Sequence, residues 1–237
     1  MKEYNSGDPV TLSLLVYGPN GSGKTMLLGS ATECFDKVII LTVEKVPLAM
    51  KIKYPKAKII MLDLANDTVE QQMVEFLRLV GKEKPDFVGI DSLSALGDYI
   101  LLGLSKGGHV AVKHWLTMFT RIRLFAKDLH VLCPYVVWIG IPKSDKDKEG
   151  YVTKTYPYCQ GQVFPVQIAE CMQVIGYLDY KEVKLPTEVV AVRTLKTIPD
   201  GKIVVRDSTN LGIGDMESPT IAKIFKLEVK KDDESGS

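Results

Sequence analysis

Gly18-Pro19-Asn20-Gly21-Ser22-Gly23-Lys24-Thr25 follows the apolar run Val10 to Tyr17 (VTLSLLVY) and leads into a helix-forming stretch from Lys24 to Thr32. The octet fits G-x-x-x-x-G-K-[ST], and both of its flanks have the required character. Glycines let backbone N–H groups turn inward around phosphate oxygens. A helix that starts at the loop aims its positive end at the same anion. Lys24 is placed to reach the β- and γ-phosphates and the Thr25 hydroxyl to ligate Mg²⁺, with Met26 next on the helix. The pattern predicts a site for ATP or a close relative with Mg²⁺ over residues 18 to 26.

Outward from the loop, apolar β-branched runs recur at Lys37 to Val43 (KVIILTV), Lys58 to Leu64 (KIIMLDL), Asp86 to Asp91 (DFVGID) and Pro134 to Ile141 (PYVVWIGI). Between them, Asn66 to Val80 has helical spacing, with Val69, Met73, Phe76, Leu77 and Val80 on one face. Val110 to Leu129 reads as a long helix striped by Trp115, Met118, Phe119, Ile122 and Phe125. Strands that alternate with helices imply a mostly parallel sheet covered on both faces. Past Pro142 the texture changes. Residues 143–160 are polar, basic and aromatic, without periodicity. Cys171 to Leu178, Glu188 to Leu195 and Lys202 to Arg206 then read as shorter, antiparallel strands, and Ser218-Pro219 as the start of a helix running to Phe225. One domain is expected over 1–230, with a disordered tail at 231–237.

Bulk properties narrow the function. A net charge of +1 excludes a polycation, so any nucleic-acid contact must be local. The four cysteines, at 34, 133, 159 and 171, show no C-x-x-C spacing and no accompanying histidines, which argues against zinc and against a disulfide framework. No secretory h-region and no membrane-length apolar run is seen, so a reducing cytoplasm, that of the host if the chain is phage-encoded, is the expected setting.

Asp91 ends an apolar strand, where ligands collect in open α/β sheets, and is the candidate second Mg²⁺ ligand; the alternative is an Asp that caps the next segment. Ser92 follows it rather than Glu. A catalytic carboxylate must then come from elsewhere. Glu44, after KVIILTV, is the first candidate for polarising the attacking water, and Asp63 the second.

Several blocks resemble the phage-type RecA-like ATPases of the AAA_24 group: GPNGSGKT, FVGIDSLSAL, YPYCQGQVFPVQIAECMQVIGYL with Gly161, and VVRDSTNLG followed by ESPTIAKI. They run from about Leu14 to Phe225. The resemblance implies an α/β fold of RecA-like P-loop NTPase type, with a mostly parallel central sheet and an antiparallel C-terminal extension. It also implies ATP hydrolysis and a homo-oligomer, ring or filament, acting on single-stranded DNA in phage recombination or replication. In such proteins the strand corresponding to PYVVWIGI often ends in a polar sensor, where this chain has Pro142-Lys143. The basic pair is reduced to Arg206, with Lys202 farther upstream. Slow turnover is therefore expected. Arg206 is the candidate cation supplied to a neighbour's γ-phosphate, the alternative being a salt bridge to Asp207 or Glu217.

The segment after PYVVWIGI stands where RecA-like proteins carry a DNA-contacting loop. Lys143, Lys146, Lys148 and Lys154 suit phosphates, and Tyr151, Tyr156 and Tyr158 offer faces for unpaired bases. Asp145, Asp147 and Glu149 cancel part of that charge, as a merely solvated loop would have it. Ser105 to Lys113, with Gly107-Gly108, is a second candidate, in which His109 and the nearby His114 read as surface residues. Two other classes stay open: a nucleotide-gated assembly protein that acts on protein partners without DNA, and a small-molecule kinase, for which no arginine-rich lid is apparent.

Overall fold

The computed structural model describes residues 11–63, 68–158, 171–184 and 189–230. Gly161, the opening Glu188 of one expected strand and the tail at 231–237 lie outside them. Six strands run parallel. They are β1 (Leu12–Tyr17), β2 (Val38–Thr42), β3 (Lys58–Met61), β4 (Phe87–Asp91), β5 (Tyr135–Gly140) and β8 (Val174–Lys184). Beside them β9 (Val189–Lys196), β10 (Arg206–Asp207) and β11 (Met216–Glu217) pair antiparallel, giving the order β11-β9-β8-β1-β5-β4-β2-β3 with β10 against β8. This is a mixed α/β fold with a mostly parallel central sheet, consistent with a P-loop NTPase core.

Successive side chains of a strand point to opposite faces, and a sheet covered on both sides therefore reads as an unbroken apolar run. In β1, Leu15 and Tyr17 enter one core with Ile39, Leu41, Val88, Ile90, Val136 and Trp138. That face is covered by α3 (Val69–Glu83), α4 (Leu93–Ser105) and α5 (Val112–Leu132). Leu14 and Val16 enter the other core with Val38, Ile40, Phe87, Val137 and Ile139. Its cover is α1 (Lys24–Gly29) with a 3₁₀ turn at Ser30–Glu33, α2 (Leu48–Lys53) and α6 (Ile221–Phe225). The outer strand β3 is short and opens on the exposed Lys58, which discourages edge pairing.

Helix α1 begins at Lys24 as expected, whereas α5 begins at Val112 rather than Val110 and α3 and α6 are capped at threonines. Thr68 caps α3 in a reciprocal box with Gln71, so the helix starts at Val69; Asn66, the expected start, lies outside the described residues. Thr220, not Ser218, caps α6; its side chain accepts from Lys223 N, while Ser218 sits at φ 46°. The third expected strand of the C-terminal region reduces to Arg206–Asp207. β8 is long rather than short, and it is parallel to β1 as well as antiparallel to β9.

The largest difference is in the expected irregular stretch 143–160, of which residues 143–158 are described. The stretch from Pro142 to Pro157 is a β-hairpin, β6 (Pro142–Lys146) against β7 (Val152–Pro157). Its turn is held by Gly150 N to Asp147 O and Tyr151 N to Asp147 Oδ1. A two-stranded ribbon exposed on most of its surface leaves no apolar alternation to read, which is why a sequence pattern misses it.

Candidate functional site

The loop after β1 has the backbone that its glycines allow. Gly21 and Gly23 take φ of 81° and 93°, in the left-handed region that disfavours a side chain. A Cβ on Gly18 would lie 2.0 Å from Leu178 O, so β8 runs against the loop's base. Lys24 Nζ donates to the carbonyls of Gly18 and Pro19 at 2.7 and 2.8 Å. Burial pushes the Lys24 ammonium below the usual lysine range, against the pull of the Asp91 and Glu44 carboxylates. Ser22 Oγ is fully buried and has no hydrogen-bond partner among the described residues. A buried hydroxyl without a partner is costly, and a ligand oxygen in the loop would supply one.

Across the sheet, Asp91 arrives at the end of β4, separated from β1 by β5. Thr25 Oγ1 donates to Asp91 Oδ2 at 2.7 Å. Asp91 is not the cap of α4: Ser92 is, accepting from Ala95 N, which leaves the carboxylate for Thr25. The Asp91–Ser92 peptide is cis. Burial raises the Asp91 carboxyl above its ordinary value; the Thr25 hydrogen bond opposes this, the Glu44 charge adds to it and Lys24 opposes it. Thr25 and Asp91 thus form a hard oxygen pair of the kind that Mg²⁺ takes.

Glu44 joins the same cluster. Thr42 lies opposite Asp91 in the sheet, and its hydroxyl brackets Glu44 by accepting from Glu44 N and donating to Glu44 O. The exposed Glu44 carboxylate acts electrostatically on both Lys24 and Asp91. Asp63 lies beyond β3, one strand farther out, its backbone paired on both sides by the Gln72 amide.

Arg206 is exposed, on β10 opposite Ile175, with Nη2 3.4 Å from Ser208 Oγ. The hairpin holds Lys143 opposite Tyr156 and Lys154 opposite Asp145, with Tyr156 Oη donating to Asp145 Oδ1. Lys146 faces Val152, and Lys148 and Tyr151 are exposed near the turn. Lys143 Nζ stands 6.0 Å from the Tyr158 ring centre.

Three residues to which the sequence reading gave no part in the site also meet it. Tyr17 Oη donates to Thr155 O and Val204 O, and Ser94 Oγ donates to Tyr158 O and accepts from Ile141 N. These bonds tie the end of β1 to the hairpin and the start of α4 to the residues that flank the hairpin. Arg193 reaches over from β9, its Nε donating to Ser22 O at 3.2 Å. An arginine in the middle of VVAVRTLK was its only signal in the sequence.

A family model described as an AAA domain matches residues 11–209. No curated protein shows significant similarity to the chain. Among the described residues no helix is long and apolar enough to cross a membrane.

Proposed function

The chain belongs to the AAA-domain family, whose members generally hydrolyse ATP, and on that premise we propose that it is a Mg²⁺-dependent, RecA-like ATPase of phage type. It would act on single-stranded DNA as a homo-oligomer built from single-domain subunits. The observation that carries the ATPase part is the Thr25–Asp91 hydrogen bond, beside the lysine and the unpartnered Ser22 hydroxyl. The two oxygens would hold Mg²⁺, which when bound neutralises charge on the phosphate chain. Lys24 exchanges its two loop carbonyls for phosphate oxygens. Glu44 orients the attacking water and takes its proton. Arg206 offers a neighbouring subunit a planar fork for phosphate.

The DNA part is supported by the hairpin, which carries lysines and tyrosines and is hydrogen-bonded to residues beside both nucleotide motifs. One observation favours the other reading, a nucleotide-gated assembly protein: Asp145 already engages Tyr156 and faces Lys154, so part of the hairpin's charge is satisfied internally. ATP hydrolysis measured with Mg²⁺, with and without single-stranded DNA, tests both. Stimulation by DNA is expected. Hydrolysis without any DNA binding at low salt would select the assembly reading. Lys24→Ala should weaken ATP binding by about a hundredfold or more, since two charge-assisted contacts are lost; unchanged binding would refute the phosphate loop.

A further inference from the structure

β8 and β9 do not stop where the sheet does. Tyr177 is the last β8 residue paired with β1, opposite Tyr17, and the strand continues to Lys184 with β9 returning beside it. The two strands form an arm beyond the edge on which the phosphate loop sits. On an antiparallel ladder directly opposed residues share a face, so Leu178 with Leu195, Tyr180 with Arg193 and Glu182 with Ala191 form one row. The first pair is buried in the core, which fixes the register. The second pair then falls over the loop. A Cβ on Gly21 would lie 4.0 Å from Tyr180 Oη, and one on Gly23 only 2.5 Å from Arg193 Nε. Gly23 is therefore required twice, by its φ and by the arginine packed on it.

Nε of Arg193 is engaged by Ser22 O, while its two Nη atoms donate to nothing among the described residues. Arg193 lines a cavity of about 240 Å³ together with Gly23, Met26, Glu33, Leu178 and Ala191. A planar guanidinium with free donors pairs with a carboxylate or a phosphate oxygen, and its place against Ser22 and Gly23 of the phosphate loop favours the phosphate. Its one present acceptor is a neutral carbonyl, a weaker partner than an anion.

We propose that Arg193 is a nucleotide-contacting residue, acting within its own subunit, whose guanidinium binds the phosphate chain of a nucleoside triphosphate as the β8–β9 arm lies across the loop. This rests on the proposed ATP site. It adds a second cation to Lys24, from an element that the loop motif does not include. Arg206, by contrast, does not touch its own loop.

Competition binding of ATP and of inorganic tripolyphosphate, both with Mg²⁺, to the full chain tests it. Arg193→Ala should weaken both ligands in the same ratio, about tenfold to a hundredfold, as loss of a charge-assisted contact requires. Arg193→Lys should recover part of the loss, and Lys181→Ala, on the other face of the arm, should bind both ligands as the unaltered protein does. A loss for ATP without one for tripolyphosphate overturns the phosphate contact. So does unaltered binding in Arg193→Ala while Lys24→Ala still abolishes it, a result that leaves the ATP site standing. A ligand-free melting temperature that falls together with affinity would make Arg193 a brace for the loop and also overturn the proposal. Failure of the unaltered protein to bind ATP would remove the ATP site itself and the proposal with it.

Discussion

The Asp91 carboxyl is 9% exposed, and burial raises its pKa even after the Thr25 hydrogen bond and the Lys24 charge have acted against that rise. A carboxyl whose pKa is higher folded than unfolded binds more protons in the fold. Its contribution to stability therefore declines as pH rises from the ordinary value of 3.8 through the raised one, and the full cost persists at neutral pH. Asp91→Asn removes that cost and keeps an acceptor for Thr25. The ligand-free variant should melt higher than the unaltered protein at pH 7, and the gap should close on acidification toward 3.8. Its Mg²⁺-dependent hydrolysis should fall about a hundredfold or more, because a neutral amide is a poor Mg²⁺ ligand. Thermal melts at several pH values and a turnover assay check the two halves separately. A variant that melts lower at neutral pH would show that the Lys24–Asp91 attraction, not burial, dominates.

Between elements, the bonds that matter join the sheet's edge to the hairpin. Ser94 is 3% exposed, and its hydroxyl serves both Ile141 N and Tyr158 O. Ser94→Ala would leave a buried donor and acceptor short of a partner, so a loss of about 1–3 kcal/mol is expected in denaturant unfolding. The hairpin's own part is electrostatic. If it contacts single-stranded DNA, replacing Lys143, Lys146, Lys148 and Lys154 by Ala should flatten log K against log salt by at most about 3, at roughly 0.7 per phosphate contact; an unchanged slope would remove the hairpin from the interface. The phosphate loop was legible in the sequence because its chemistry demands particular residue types at fixed spacing, and the parallel strands because burial on both faces forces apolar runs such as KVIILTV. The hairpin was not, because an exposed ribbon carries no such pattern. Arg193 was hidden for another reason: its place over Gly23 depends on the β8–β9 register, and the Leu178–Leu195 pair that sets it involves residues distant in sequence.

If the chain assembles as proposed, the two arginines make opposite demands. Arg193 meets the phosphate loop of its own subunit. Arg206 lies opposite Ile175, two residues short of the level of Tyr177 and so about 7 Å back from the sheet's edge. A side chain placed there and exposed is available to a phosphate of a neighbouring subunit. Subunit mixing separates the cases. Glu44→Gln should bind ATP but hydrolyse it slowly, since the amide keeps the shape and cannot take a proton. Arg206→Ala should leave nucleotide binding by the single subunit intact and depress hydrolysis. When these two variants are mixed, some interfaces pair an intact Glu44 from one subunit with an intact Arg206 from the other, and activity should partly return. Mixing Glu44→Gln with Arg193→Ala gives no such interface, because Glu44 and Arg193 belong to one and the same site: every site lacks one or the other, and activity should stay at the sum of the two parts. Recovery in the second mixture would place Arg193 in trans. Absence of recovery in the first, with oligomers of normal size, would leave Arg206 as a surface arginine of β10 held by Ser208.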